Sequence, residues 1–148
     1  MASGLTEAVA MVLGPPTWQR VEKAQFLLDS GQVSRVLVSV SPSGRQSAAL
    51  YPPCEYSRFT CETPAPFTTK GEVAMLRDFL GADAVDQQVV VVTFTPHVAR
   101  TRYVFQECFG PNVAVLGVSQ DMSLFDWMYQ YVYQSVAFLK AAITPCVD

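Results

Sequence analysis

The run Thr93-Phe94-Thr95-Pro96-His97-Val98-Ala99-Arg100 holds the densest set of side chains able to do chemistry, including the only histidine of the chain. A valine-rich strand pattern ends at Thr93 and a helical pattern opens at Pro96, whose missing N–H suits a first helical position. The N–H groups and the dipole at such a helix start favour an anion. His97 stands in the first turn and Arg100 one turn on, so both can face one pocket. Thr93 and Thr95 add hydroxyls. This set suits capture of a phosphate or carboxylate, with His97 as proton donor or acceptor. The same residues also suit a plain capped helix whose His97 and Arg100 face solvent.

Four further stretches belong beside it. Thr69-Lys70-Gly71-Glu72 reads as a capping box, Thr-x-x-Glu before an apolar periodic stretch. Glu72 is also a candidate general base, or the group that orients His97. Ser39-Val40-Ser41-Pro42-Ser43-Gly44 follows a buried strand. Ser39, Ser41 and Gly44 there are candidate phosphate or sugar contacts, or simply turn residues. Gly14 follows the first strand, without a G-x-G-x-x-G, P-loop or G-x-S-x-G pattern around it. Arg20, early in the first helix, either reaches the crevice or faces solvent. No metal centre is expected: Cys54, Cys61, Cys108 and Cys146 form no C-x-x-C pair, and zinc needs about four closely spaced ligands. The cysteines read as buried reduced thiols, with a Cys61–Cys108 bridge open to the chain in an oxidising environment.

The elements that must position these residues are short valine-rich runs separated by helical patterns. Strands are predicted over 9–13, 36–40, 89–93 and 113–116, and a short edge strand near 56–61 within an irregular, proline-rich crossover over 41–67. Continuous apolar runs mean strands covered on both faces, as in a parallel sheet. Helices are predicted over 17–30, 69–80, 96–109 and 124–143, the first three closed by Gly31, Gly81 and Gly110. The fold class is therefore α/β, a Rossmann-like, doubly wound and mostly parallel sheet of about five strands. Ligands of such sheets sit beyond the carboxyl ends of the strands, where strand order reverses.

The 148 residues suit a single domain, and 16% charged residues with a net charge of −3 argue against nucleic-acid binding. Residues 1–7 lack the basic character of a secretory leader, and no stretch has the length of a membrane span. A cytoplasmic location is expected. The last helix, 124–143, carries Phe125, Trp127, Tyr129, Tyr131, Tyr133 and Phe138. One face is expected in the core, and the other offers an interface for a homo-oligomer. Its single lysine disfavours docking on a membrane surface.

These motifs, in this order, resemble the YdcF-like and SanA-like domain family, a domain of unknown function. The resembling pieces are residues 9–14, Arg20-Val-Glu-Lys-Ala with Gly31, residues 36–41, Thr68-Thr69-Lys70-Gly71-Glu72 and residues 89–100. Pro64-Ala-Pro66-Phe67-Thr68-Thr69 and residues 102–109, with Cys108, look like the actinobacterial branch. The resemblance implies a Rossmann-like fold of about five parallel strands and a site built from Ser39, Ser41, Thr69, Glu72, His97 and Arg100. It also implies a link to envelope integrity and, for one member, S-adenosylmethionine binding. Three readings stand open: a site for an anionic or nucleotide-like small molecule, with or without catalysis by His97, Glu72 and Arg100; a nucleotide or S-adenosylmethionine sensor; and an assembly protein working through its aromatic last helix.

Overall fold

The computed structural model describes residues 8–66, 68–84, 86–119 and 122–146. The leader reading at residues 1–7, and Phe67 of the resembling segment, lie outside them. Five strands form one sheet: β1 (Val9–Val12), β2 (Arg35–Ser39), β3 (Phe59–Glu62), β4 (Val89–Phe94) and β5 (Val113–Val118). Their order is β3-β2-β1-β4-β5, and every pairing is parallel. The helices are α1 (Trp18–Asp29), α2 (Thr69–Leu80), α3 (Val98–Cys108) and α4 (Leu124–Ile143). This is the expected Rossmann-like α/β architecture, β3 being the edge strand of the proline-rich crossover.

Alternation along each strand divides the core in two. Val9, Met11, Leu13, Leu37 and Val91 face α2 and α3, meeting Val73, Leu76, Val104 and Phe105. Ala10, Val12, Val36, Val38 and Val92 face α1, meeting Val21, Ala24, Leu27 and Leu28. Helices on both faces explain why the strands read as unbroken apolar runs. The chain leaves β1 toward β2 and β3, then returns across β1 to β4. Strand order therefore reverses between β1 and β4, and a crevice opens beyond their carboxyl ends.

Several boundaries differ from expectation. Residues 95–97 form a 3-10 turn, so the α-helix proper starts at Val98 and Pro96 sits in that turn. The N-cap of α2 is Thr68, whose side chain accepts the Gly71 N–H at 3.0 Å. The expected Thr69–Glu72 box is not made, and Glu72 is freed for another partner. Gly71 is required at its place, because a Cβ there would lie 1.9 Å from the Pro66 carbonyl oxygen.

The cysteines are not free thiols. They pair as Cys54–Cys61 and Cys108–Cys146, which also replaces the Cys61–Cys108 alternative. The first clips the turn at Pro52–Glu55 to β3. The second ties the end of α3 to the chain beyond α4.

The last helix departs most from expectation. Among its described residues only Gln134 is buried, while Phe125, Tyr129, Tyr131 and Tyr133 stand largely in solvent. Its inward side meets the domain through Phe138, whose ring lies 4.9 Å from that of Tyr103, and through Ala141. No helix among the described residues is long and apolar enough to cross a membrane.

Two outcomes follow for stability. Thr68→Ala should cost about 1 kcal/mol in urea denaturation, and Thr69→Ala much less; the reverse ranking would restore the Thr69 cap. The paired change Cys108→Ser/Cys146→Ser, opening a link across 38 residues, should lower stability by about 4 kcal/mol on the chain-entropy account. Equal midpoints for this variant and the parent chain would show that the link is not made.

Candidate functional site

Six segments converge on the β1–β4 crevice. The end of β1 supplies Gly14, whose N–H donates to Glu72 Oε2 at 3.0 Å. A side chain on Gly14 would crowd the Ser39 carbonyl oxygen at 3.2 Å and Ser39 Oγ at 3.4 Å, so the close approach of β1, β2 and α2 favours glycine. Glu72 is almost fully buried. Burial pushes its carboxyl above the usual carboxylate range, opposed by the Gly14 N–H, Ser39, Arg20 and Arg100. The Ser39 hydroxyl acts on Glu72 from nearby without reaching hydrogen-bond geometry.

Arg20 does not face solvent. It is buried, and its Nη1 donates to the Leu13 carbonyl at 3.0 Å and the Pro15 carbonyl at 2.8 Å. Its guanidinium lies over the Phe94 ring, 5.0 Å from the centroid, a cation–π arrangement. Burial lowers its pKa and Glu72 partly restores it. Arg20 thus clamps the loop after β1 and places a positive charge behind the crevice.

His97, at the end of the 3-10 turn after β4, is 6% exposed. Arg100 donates to its Nδ1 from Nε at 3.2 Å, and Arg100 Nη2 lies 2.7 Å from the same nitrogen. Gln134 of α4 brings Oε1 to 3.1 Å from that nitrogen. One nitrogen cannot donate to Gln134 and accept from Arg100 at once, so the two neighbours compete for the state of the ring. Burial and the Arg100 charge prevail over Gln134, and the pKa of His97 falls to about 4. The imidazole is therefore neutral at neutral pH.

These groups line a cavity of about 630 Å³, which Gly14, Thr69, Glu72, His97 and Arg100 share with Lys70 and Tyr133. The start of α2 borders it, and the first N–H groups of any helix have no acceptor within that helix. Lys70 crosses to α4, donating from Nζ to the Ala141 carbonyl at 2.7 Å and to the Thr144 carbonyl. A cation on these last carbonyls suits a helix C-terminus and fixes α4 as one wall.

The structure thus gathers Gly14, Thr69, Glu72, His97 and Arg100 at one cavity. Arg20 and Ser39 lie behind it. Thr93 is fully buried, with a hydroxyl that finds no partner among the described residues. Thr95 Oγ1 donates to the Val118 carbonyl at 3.3 Å, toward β5. Ser41 lies apart, in a shallow hollow with Trp18 and Arg45. Gly44 makes a turn whose carbonyl accepts Ser47 N–H at 3.1 Å and Ser47 Oγ at 2.7 Å. Glu72 does not orient His97; Gln134 and Arg100 do. Among the described residues there is no group of three or more His, Cys, Asp or Glu side chains set to hold a metal.

Sequence reasoning missed Gln134 and Lys70. Gln134 had a signal, a polar residue interrupting an apolar helix, which on the inward face marks a buried contact. Lys70 had none, since its partners lie more than seventy residues away.

Comparison of the chain with family models, with curated proteins and with solved structures finds no match.

The lone histidine makes the site open to direct titration. Between about pH 6.5 and 4 the unfolded chain binds a proton that the native ring refuses, so the His97 contribution to stability grows as pH rises through that window. The imidazole resonance in NMR should titrate with a midpoint near 4. A midpoint of 6 or above would mean a solvated ring.

Proposed function

We propose that this cavity binds a small anionic or nucleotide-like molecule at the carboxyl edge of the parallel sheet. The observation that carries the reading is the state of Arg100. Among the described residues no carboxylate comes within ion-pair distance of it, although Glu72 lies within its field, its Nε and Nη2 turn to a neutral imidazole, and its Nη1 makes no hydrogen bond. A guanidinium at a cavity wall with donors to spare suits a phosphate or carboxylate. The N–H groups at the start of α2 add to the same preference.

The pair beside it supports proton transfer. His97 is a neutral base held in place by Gln134, and Glu72 keeps a carboxyl whose proton binds more tightly than usual. A base and an acid with pKa values pushed in opposite directions suit general acid–base work on a bound anion. Binding without turnover is the alternative, in which Arg100 and His97 only recognise the ligand.

S-adenosylmethionine, raised by the resemblance to the YdcF-like family, fits in part. Arg100 would take its carboxylate. Dinucleotide folds use an acidic residue after the second strand for ribose hydroxyls, and here Val40-Ser41-Pro42-Ser43-Gly44 follows β2 without a carboxylate. The donor set favours the anionic end of a ligand over a ribose.

Two disulfides support an oxidising compartment over the cytoplasm expected from the first residues. They agree with the envelope link that the resemblance carries.

The test is a thermal-shift panel of inorganic phosphate, AMP and S-adenosylmethionine. A ligand at 100 times its Kd adds about 2.7 kcal/mol, a Tm rise of roughly 5–10 °C. Arg100→Ala should abolish the rise. His97→Ala should keep binding but lose any turnover of a phosphoester. A shift of equal size in the parent chain, Arg100→Ala and His97→Ala would sink the reading.

A further inference from the structure

The outward face of α4 carries a regular apolar seam. Phe125, Tyr129, Val132, Val136, Leu139 and Ile143 follow one another at spacings of four, three, four, three and four. That is the heptad repeat of a helix made to pair with another helix. All six are 60–86% exposed. The buried Gln134 and the half-buried Trp127 and Ala141 occupy the opposite side of the helix, against the domain. The helix therefore has an inward face that is used and an outward face built like a coiled-coil core.

We infer that the outward seam pairs with α4 of a second copy of this chain, antiparallel across a two-fold axis beside residue 134. Three observations select this occupant. The first is self-complementarity: with the axis there, Phe125 faces Ile143, Tyr129 faces Leu139 and Val132 faces Val136, so each large ring meets an aliphatic side chain and no layer is left over. The second is charge. Asp126 and Lys140 are the only charged residues of α4, and both lie on the same flank of the seam, two heptads apart. Antiparallel pairing brings Asp126 to the partner's Lys140 and repeats the contact by symmetry, whereas parallel pairing would put the two charged flanks on opposite sides of the seam and make no such contact. The third is area. The six side chains expose on the order of 800 Å², the amount a standard interface covers on each partner. A membrane surface fits less well, because a helix of that kind carries several basic residues.

The same flank touches the cavity. Tyr133 and Lys140 lie between the seam and the cavity wall, and both line it. Two-fold pairing sets Tyr133 beside the partner's Tyr133, so the two cavity mouths open along the dimer axis. The dimer does not depend on the ligand proposed above.

Sedimentation equilibrium of the full chain tests this. The parent chain should be a dimer at micromolar concentration, and Val132→Glu should raise its dissociation constant at least about 100-fold with an unchanged far-UV circular dichroism spectrum. Lys140→Glu, which cannot cost burial at its exposed position, should weaken the dimer more mildly and in a salt-dependent way. Orientation is read by cross-linking: a mixture of Phe125→Cys and Ile143→Cys chains should join under mild oxidation, and Phe125→Cys alone should not. A parent chain that stays monomeric at high concentration overturns the proposal. So does self-joining of Phe125→Cys, which reports a parallel pair. Flotation of the monomer with anionic phospholipid vesicles, lost in Val132→Glu, would also overturn it and give the seam to a membrane.

Discussion

A buried carboxylate bound to one backbone amide organises the crevice. Glu72 accepts the Gly14 N–H, and this joins the start of α2 to the end of β1 at the point where the sheet reverses. The ionised form of such a group is costly unless neighbours compensate it. That requirement accounts for much of what surrounds it: the guanidiniums of Arg20 and Arg100 within its field, the Ser39 hydroxyl beside it, and a glycine at position 14 that lets three elements approach. Arg20 in turn fixes the loop after β1 through two carbonyls, and Arg100 sets the state of His97. The site and the sheet edge are one electrostatic unit.

This arrangement separates two jobs that share a charge. Arg20 is spent on the backbone and on the Phe94 ring, and shapes the crevice from behind. Arg100 stands at the wall and turns its Nε and Nη2 to His97. The neutral His97 between the wall and α4 is a product of both, because burial and adjacent positive charge act in the same direction on an imidazole. Lowering of the His97 pKa and raising of the Glu72 pKa share one cause, burial; the nearby positive charge adds to the first and opposes the second.

Much of the fold was legible in the sequence because its signals are local. Valine runs such as Val89-Val90-Val91-Val92 read as strands covered on both faces, and Gly31 at φ 79° ends α1 as a helix-closing glycine does. The site core was legible for the same reason, since Pro96, His97 and Arg100 lie within one turn. What escaped depends on long-range geometry. Thr68 rather than Thr69 caps α2, a one-residue shift that sequence patterns do not resolve. Cysteine pairing is open from sequence alone, four residues allowing three connectivities. The apolar residues of α4 promised a core face, yet burial is decided by what lies opposite, and the domain meets α4 mainly through its Gln134 side. Arg20 reads from the sequence as either a crevice or a solvent residue, since arginine is seldom buried, and only the carbonyls of Leu13 and Pro15 decide it.

The attachment of α4 has a mechanical meaning. Near its C-terminal end it is held twice, by Lys70 on the carbonyls of Ala141 and Thr144 and by the Cys108–Cys146 bond just beyond. Toward its N-terminal end no such tie reaches the domain among the described residues. A beam bolted at one end and resting at the other has one easy movement, a swing about the bolted end. Gln134 sits part-way along the beam, so any such swing lifts its amide from His97 and rebalances the imidazole at the same moment that it widens the cavity.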